Sequence, residues 1–393
     1  MTDLKSYYNR YAQDFHRREP LNPLRIVFAS GKPLFPIGEG GGETVAYDLL
    51  SGLVRAGYQI EALGQADFDA LSSLNKALCT LGRELSVTQE RCRISTFQGN
   101  EIEYPVKSRF SYDLGFPTTL VSSCAFIDHV DRRLADRECD LLLFQAERSP
   151  ELLSVAKSHG VYPLFYAHNG QELRSFPQLQ ELPLVLTSSA FSRDHIRAEY
   201  GVNAEVLYPA VNLERYRTDE KTNEYITMIN PVVAKGIASF LKLAAALPSR
   251  KFLVVEGWGT PPAILELIRT RLPNITYLER QVDMREVYRQ THILVVPSHW
   301  ESFGRVITEA QVNGIPVLAS KVGGIPEALG NGGILVDTIS DPDAWLTGLG
   351  EIEARYVELS GNAIRNAEKF SVAATVTRFE EILKIAPGFT GMK

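Results

Sequence analysis

The chain has 393 residues, of which 45% are hydrophobic and 22% are charged, and its formal net charge is −6. This length favours two domains, because single hydrophobic cores seldom grow beyond about 250–300 residues. The acidic balance and the absence of any block of Lys and Arg argue against a nucleic-acid partner, since such partners are bound by strongly basic surfaces.

The first 20 residues are polar and lack the apolar core of a signal peptide. No apolar run approaches the roughly 20 residues that span a bilayer. We therefore expect a cytoplasmic protein without a transmembrane segment, while a peripheral contact with a membrane stays open.

The four cysteines include no C-x-x-C pair, which predicts that they are reduced thiols. Nothing in the pattern indicates an oligomeric state.

Apolar strands alternate with amphipathic helices through the first half of the chain. A strand at 24–30 precedes a glycine-rich loop, a helix at 43–57 and a second strand at 59–64. Residues 68–140 mix a helix with polar strands and have the least definite pattern. The remaining strands of this half are predicted at 141–145, 162–168, 184–188 and 205–212.

A second alternation of strands and helices begins at 225–230. Two such alternations predict an α/β protein with two Rossmann-like, doubly wound parallel sheets that bind ligands at the carboxyl ends of their strands. The domains are predicted at 1–212 and 213–350, with the polar stretch 213–224 as the linker. The helices of 351–393 are predicted to cross back to the first domain.

The stretch PSHWESFGRVITEAQVNGIPVLAS, residues 297–320, places two acids around a turn from strand to helix. Glu301 follows an apolar strand, Gly304 allows a close backbone approach, and Glu309 lies one turn into the helix that begins near Arg305. The amides and positive dipole at the start of that helix favour an anion. We interpret the acids as ligands of sugar hydroxyls on either side of a phosphate, although two arbitrary acids in such a pattern would fit a pair of surface acids.

The segment ESFGRVITE resembles the E-x7-E motif of retaining glycosyltransferases of the GT-B architecture, family 4 type. Its surroundings, through Asp337 and including Gly323 and Gly324, are similar to the C-terminal signature of that family. The resemblance implies two domains facing a cleft and the transfer of a hexose from a nucleotide-diphosphate sugar, a UDP- or GDP-sugar first. The acceptor would be a hydroxyl of a glycan, a lipid-linked substrate or a small-molecule glycoside. It also implies retention, and neither a metal nor a cofactor is expected.

The resemblance implies individual roles for residues in both domains. Glu301 would orient the donor sugar, Glu309 would bind the ribose, and His168 would contact the donor sugar across the cleft, although a histidine at a strand end also fits a structural role. The glycine-rich loop follows the G-G-x-E pattern of the family, but it also fits a flexible surface loop. The donor-binding set is completed by Gly40, Gly41, Asn230, Lys235, Ser302, Phe303, Gly304 and Arg305.

The chain departs from the family at one position that bears on donor binding. Relatives carry an Arg five residues before the phosphate-binding Lys, whereas this chain has Asn230 before Lys235. One of two expected cations is therefore absent, and we expect Lys235, Arg305 and helix amides to carry the charge of the diphosphate.

The D-x-D sequence at 67–69 resembles a metal–diphosphate motif of another glycosyltransferase fold, but its place before a helix favours a helix cap. We assign it no metal.

Three alternatives to a glycosyltransferase stay open: a nucleotide-sugar epimerase, a phosphorylase, and a non-catalytic nucleotide- or glycan-binding relative. Conversion of the donor without an acceptor would identify an epimerase. Phosphate-dependent release of sugar phosphate would identify a phosphorylase, and binding without turnover would identify the non-catalytic relative.

Overall fold

The computed structural model describes residues 24–37, 40–67, 70–80, 83–95, 101–136, 138–168, 172–176, 178–257, 259–281 and 283–391. The chain divides into two compact units. The first unit comprises the described parts of residues 3–188, 193–207 and 376–393, and the second comprises residues 189–192 and 208–375.

A nine-stranded sheet lies at the centre of the first unit, in the order β3-β4-β5-β2-β1-β6-β7-β8-β9. Its strands are β1 (Arg25–Ser30), β2 (Gln59–Gln65), β3 (Ser86–Ser95), β4 (Glu101–Asp113), β5 (Pro117–Val121), β6 (Leu141–Gln145), β7 (Tyr162–Ala167), β8 (Val185–Thr187) and β9 (Ala204–Val206). The pairs β3–β4 and β4–β5 are antiparallel and the other pairs are parallel.

The antiparallel ribbon corrects the expectation of a purely parallel first sheet. Strand β3 has the sequence SVTQERCRIS, and a polar strand of this kind suits an antiparallel edge because it need not bury both faces. The strands nearer the centre are mostly apolar: four of the five residues of β6 are apolar, and all five are buried.

The helices of this part of the chain are α1 (Gly41–Arg55), α2 (Leu71–Thr80), α3 (Phe126–Ala135), α4 (Ser149–His159) and α5 (Ala190–Tyr200). Helix α3 shows why they pack as they do. Phe126, Val130 and Leu134 recur every four residues, lie on one helix face and are fully buried in the core of the unit.

The second unit has a six-stranded, wholly parallel sheet in the order β12-β11-β10-β13-β14-β15. Its strands are β10 (Tyr225–Ile229), β11 (Phe252–Val255), β12 (Ile275–Leu278), β13 (Thr291–Val296), β14 (Val317–Ser320) and β15 (Gly333–Val336). The strand order reverses between β10 and β13. In an open α/β sheet, ligands bind outside the carboxyl ends of the strands at such a switch point.

The helices of the second unit are α6 (Leu213–Tyr216), α7 (Ile237–Ala246), α8 (Pro262–Arg271), α9 (Arg285–Gln290), α10 (Arg305–Gln311), α11 (Ile325–Leu329), α12 (Pro342–Ala354) and α13 (Tyr356–Ala367). The last helix, α14 (Val372–Ile385), begins in the second unit, and its residues from 376 onward belong to the first. Within the first unit, Phe379, Ile382 and Leu383 are buried.

Two observed boundaries differ from the sequence pattern. The chain passes from the first unit to the second after Leu207. The stretch predicted as the strand 205–212 pairs in the sheet only as far as Val206, the end of β9. The start of the predicted linker is helix α6, where Leu213 and Tyr216 are buried because they are apolar and join the second core. Among the described residues, no helix is long and apolar enough to cross a bilayer.

Candidate active site

The loops that follow β10, β13 and β14 meet backbone to backbone at the carboxyl edge of the second sheet. A Cβ atom added to Gly236 would lie 1.8 Å from the Pro297 carbonyl oxygen, and one added to Gly324 would lie 2.1 Å from the Ser302 carbonyl oxygen. Both distances are far inside van der Waals contact. Glycine is therefore required at these two positions for the three loops to approach one another.

The adjacent Gly323 has a φ of +56°, and a Cβ atom there would lie 1.9 Å from the Glu301 carbonyl oxygen. That oxygen also accepts a hydrogen bond of 3.0 Å from the Gly324 amide. The two glycines thus form a tight turn. Its observed partner is the backbone that carries Glu301, so the turn fixes the position of this acid.

The side chain of Glu301 forms an ion pair with Lys235. Its carboxylate Oε1 also accepts a hydrogen bond of 3.2 Å from the Ser298 hydroxyl. The two charged side chains are 12% and 24% exposed, respectively, so solvent screens them only in part. An acid and a base of this kind at a strand-end crevice can bind hydroxyl groups and an anion together.

Lys235 lies just before the helix that follows β10. It ends the 3-10 helix Val233–Lys235 and precedes Gly236, whose φ is +78°, whereas helix α7 begins only at Ile237. Ser298 was not predicted as a site residue, because the only indication in the sequence is its place three residues before Glu301. Ser298 is fully buried, and its carbonyl accepts a 2.6 Å hydrogen bond from the Ser320 hydroxyl.

Arg305 and Glu309 are paired with each other in a buried cluster. Arg305 Nε lies 3.1 Å from Glu309 Oε1, and Arg305 Nη2 donates a hydrogen bond of 3.0 Å to the Tyr216 hydroxyl. The Tyr288 hydroxyl donates a 2.8 Å hydrogen bond to Glu309 Oε2. Burial and the Glu309 carboxylate raise the pKa of the Tyr288 phenol, which therefore stays a donor.

These contacts change what can be expected of Arg305 and Glu309. Both charges are already matched inside the second unit, with side-chain exposures of 11% and 9%. Their roles toward diphosphate and ribose stay predictions. Sequence reasoning missed Tyr216 and Tyr288, which lie 89 and 21 residues from their partners.

Phe303 is a core residue. Its side chain is 2% exposed, and its ring centroid lies 5.0 Å from that of Phe370 and 5.7 Å from that of Tyr208. Any contact between Phe303 and the sugar donor is thus restricted to the backbone.

Gly304, the next residue, has a φ of +92° and caps the start of α10, as the strand–loop–helix pattern predicts. Ser302 lies in the same loop, directly before Phe303.

Asn230 directly follows β10 and is nearly buried, with a φ of +61°. A Cβ atom on Gly257 would lie 2.6 Å from the Asn230 side chain. Asn tolerates the left-handed backbone region better than most residues because its short polar side chain bonds locally. A packed, neutral side chain therefore occupies the position at which the family resemblance implies a cation.

In the first unit, His168 follows the end of β7. Its Nε2 atom lies 2.6 Å from the Gln145 side-chain oxygen, and its ring centroid lies 4.4 Å from that of Tyr166. Burial, and to a smaller extent the charge of Lys32, lower the pKa of His168 from 6.5 to about 4. The imidazole is therefore neutral near pH 7.

The glycine-rich loop supplies the start of α1. The Gly40 carbonyl accepts hydrogen bonds from the Thr44 amide at 3.1 Å and the Thr44 hydroxyl at 2.9 Å. A Cβ atom on Gly41 would meet no described atom within 4 Å, whereas one on Gly42 would lie 3.4 Å from His168 Cδ2. A distance of 3.4 Å is ordinary van der Waals contact, so packing among the described residues explains neither glycine.

Of the D-x-D sequence the structure describes only Asp67, and the helix cap stays a prediction. The Asp67 carboxylate accepts hydrogen bonds from the Ser123 amide at 3.0 Å and the Ser123 hydroxyl at 2.8 Å. It therefore joins two loops of the first unit. Phe68 and Asp69 lie outside the described residues.

Comparison with known proteins adds a family and a fold. Residues 224–353 match the family described as Glycosyl transferases group 1. A D-inositol 3-phosphate glycosyltransferase from Corynebacterium kroppenstedtii is 38% identical over 268 residues, which cover 66% of this chain and 54% of the relative. A D-inositol 3-phosphate glycosyltransferase from Thermobispora bispora is 32% identical over 207 residues, which cover 46% of this chain and 48% of the relative. The chain spans about half the length of the curated relatives it matches.

Two solved structures illustrate the likeness in fold. A glycosyltransferase from Rickettsia africae aligns with a TM-score of 0.69 at 16% identity, covering 93% of this chain and all of that one. The Anabaena protein Alr3699/HepE in complex with UDP aligns with a TM-score of 0.68 at 17% identity, covering 92% of this chain and 100% of its own. At these identities the alignments show a shared fold.

Proposed function

We propose that this chain, which has the GT-B fold and whose residues 224–353 belong to the glycosyl transferases group 1 family, moves a sugar from a nucleotide-diphosphate sugar to a hydroxyl acceptor. The observation that carries the proposal is the Lys235–Glu301 ion pair at the switch point of the second sheet. The pair lies on loops whose spacing is set by glycine contacts.

The pair has complementary uses toward such a donor. The Lys235 ammonium would bind the diphosphate, and the Glu301 carboxylate, released from the lysine, would accept hydrogen bonds from hydroxyls of the donor sugar. A cation held beside the departing diphosphate favours bond cleavage because it stabilises the charge that develops in the transition state. Ser298 would keep one carboxylate oxygen oriented during the exchange.

Lys235 carries more of this task than its counterpart in relatives would. Asn230 supplies no charge, and Arg305 is matched by Glu309. The backbone amides of residues 302–305 are the remaining hydrogen-bond donors that we propose for the diphosphate.

We propose that the reaction needs no metal and retains the configuration at the anomeric carbon, because the family resemblance implies both. The acceptor oxygen would bond to the anomeric carbon, the bond to the diphosphate would break, and the acceptor proton would pass to the leaving phosphate.

The comparisons suggest which substrates to test first. Relatives named D-inositol 3-phosphate glycosyltransferase make inositol phosphate the first acceptor to try, followed by glycans and lipid-linked acceptors. The UDP complex of the Anabaena protein makes a UDP-sugar the first donor, with GDP-sugars next. The cytoplasm stays the predicted compartment.

Glu301→Gln tests the proposal, with Glu266→Gln on the exposed face of α8 as the matched control. We expect Glu301→Gln to lose about 100-fold or more in kcat while melting close to the wild type, because it removes a transition-state contact. The control should keep its activity. Near-normal turnover by Glu301→Gln would refute the assignment.

The same assay separates the alternative activities. Incubation of the donor without acceptor should leave the sugar unchanged, and adding inorganic phosphate should release no sugar phosphate. Conversion in the first case would favour an epimerase, and release in the second a phosphorylase. Binding of a nucleotide sugar without turnover across a broad acceptor panel would favour the non-catalytic alternative.

A further inference from the structure

The Glu327 carboxylate accepts three hydrogen bonds inside the second unit. Glu327 lies in the first turn of α11. Its Oε2 atom accepts a hydrogen bond of 2.7 Å from the Ala190 amide, and its Oε1 atom accepts one of 2.9 Å from the Phe191 amide. The Tyr208 hydroxyl donates a third hydrogen bond, of 3.1 Å, to Oε2. One side chain thus joins α11 to residues that precede it by 119 to 137 positions.

Two of these hydrogen bonds satisfy the start of helix α5. The first amides of a helix have no partner within it, and a negative charge beside them is favourable. Ala190 and Phe191 are the first two residues of α5, and both amides bond to Glu327. The next amide, that of Ser192, donates a hydrogen bond of 3.0 Å to the Ser189 hydroxyl. Glu327 therefore completes, from another helix, the cap that Ser189 begins.

Two of the three residues bonded to this carboxylate carry aromatic rings, and these rings pack on either side of Glu301 along the chain. The Phe191 ring centroid lies 5.1 Å from that of Trp300, the residue before Glu301. The Tyr208 ring centroid lies 5.7 Å from that of Phe303, two residues after Glu301. The loop that carries the acid is therefore supported by one ring before the acid and one ring after it.

We propose that Glu327 is a positioning residue that holds the loop of Glu301 in place. Its carboxylate fixes the two aromatic residues, and their rings support the loop around the acid. The turn at Gly323 and Gly324, which precedes α11, contacts the same loop through its backbone. The effect of Glu327 on transfer rests on the proposed function, whereas its effect on the loop does not.

The effect on the loop can be measured without turnover. The chain has three tryptophans, so labelling with 5-fluorotryptophan gives three 19F signals, which Trp300→Phe and Trp258→Phe assign. Glu327→Gln replaces one carboxylate oxygen by an NH2 group, which donates and does not accept hydrogen bonds from amides. We expect this variant to shift or broaden the Trp300 signal and to leave the Trp345 signal unchanged. An unaltered Trp300 signal in folded Glu327→Gln would overturn the proposal.

Asp341→Ala is the matched control, because it removes a carboxylate that caps another helix. The Asp341 side chain accepts a hydrogen bond of 3.0 Å from the Asp343 amide at the start of α12. The same helix carries Trp345, which is 1% exposed. Loss of this cap should lower the melting temperature by roughly 2–6 °C, shift the Trp345 signal and leave that of Trp300 unchanged. If Asp341→Ala altered the Trp300 signal as much as Glu327→Gln does, the proposal would be overturned.

A milder variant keeps the test decisive if Glu327→Gln fails to fold. Glu327→Asp keeps the charge and shortens the side chain by one methylene group, so the carboxylate no longer reaches both amides of α5. It should alter the Trp300 signal in the same direction as Glu327→Gln and by a smaller amount. A folded Glu327→Asp variant with the wild-type Trp300 signal would count against the proposal in the same way.

Steady-state kinetics test the effect on transfer. Glu327→Gln should lower kcat about tenfold and change KM for the donor less than about twofold, since a displaced Glu301 acts mainly in the transition state. Asp341→Ala should keep kcat within about twofold of the wild type. Equal losses of kcat in the two variants would indicate a merely structural role and overturn this half. Absence of transfer by the wild type would instead refute the proposed function and leave the 19F result standing.

Discussion

Gly324→Ala adds one methyl group where the loop after β14 meets the loop after β13. Gly324 has a φ of −84°, which alanine adopts without strain, so the cost of the substitution is steric alone. The new Cβ atom would lie 2.1 Å from the Ser302 carbonyl oxygen, 2.8 Å from its carbonyl carbon and 3.0 Å from Phe303 Cα. All three are backbone atoms, and no flexible side chain can move aside.

The two loops must part by about 1 Å to reach ordinary van der Waals distances. Overpacking of this kind costs about 1–3 kcal/mol, which corresponds to a melting temperature lower by roughly 3–10 °C for a unit of this size. A displacement of about 1 Å next to Glu301 should also reduce transfer about 100-fold.

Gly350→Ala is the matched control, because a Cβ atom there meets no described atom within 4 Å and the residue lies inside α12. We expect this variant to be more stable than the wild type by about 0.5–1 kcal/mol. Thermal melting and calorimetric titration with the nucleotide that binds the wild type would compare the two variants. If Gly324→Ala melted and bound nucleotide as Gly350→Ala does, the backbone packing described for the site would be refuted.

Three further predictions concern other parts of the chain. Tyr288→Phe should cost about 2 kcal/mol of unfolding free energy, since it removes a hydrogen bond to the buried Glu309 carboxylate; urea unfolding unchanged by the variant would contradict this. Because the folded pKa of His168, about 4, lies below its ordinary 6.5, its contribution to stability is complete above about pH 6.5 and is lost as pH falls toward 4. His168→Gln should therefore flatten the urea midpoint across that range, and an unchanged pH profile would be inconsistent with a neutral ring. Phe379→Ala should destabilise the first unit by about 3–5 kcal/mol because the ring is fully buried, whereas Val357→Ala, at an 86% exposed position, should change little.

Local pattern was sufficient to predict the edge of the sheet that carries the candidate site. The apolar run that forms β13, the positive-φ glycine at 304 and the following helix are all local signals, and they correctly put Glu301 at a strand end. The same reasoning predicted two α/β units, because each strand–helix alternation has its own hydrophobic period.

The side-chain partners in the site could not be read in this way. The Arg305–Tyr216 and Gln145–His168 hydrogen bonds join residues 89 and 23 positions apart, and a single sequence does not indicate which distant polar groups meet. The pairing of Arg305 with Glu309 was likewise not predicted, and the role of Arg305 toward the donor stays a prediction. The antiparallel ribbon was missed for a related reason: strand direction depends on pairing, which local composition specifies weakly.

A crystal structure with a bound nucleotide sugar tests the central claim most directly, once a thermal-shift screen with UDP, GDP, ADP and dTDP has identified the base. Our account predicts that the diphosphate lies within hydrogen-bonding distance of Lys235 Nζ and of the amides of residues 302–305, with the Lys235–Glu301 pair opened and Glu301 bonded to the sugar. A diphosphate bound elsewhere, beside an intact Lys235–Glu301 pair, would contradict it.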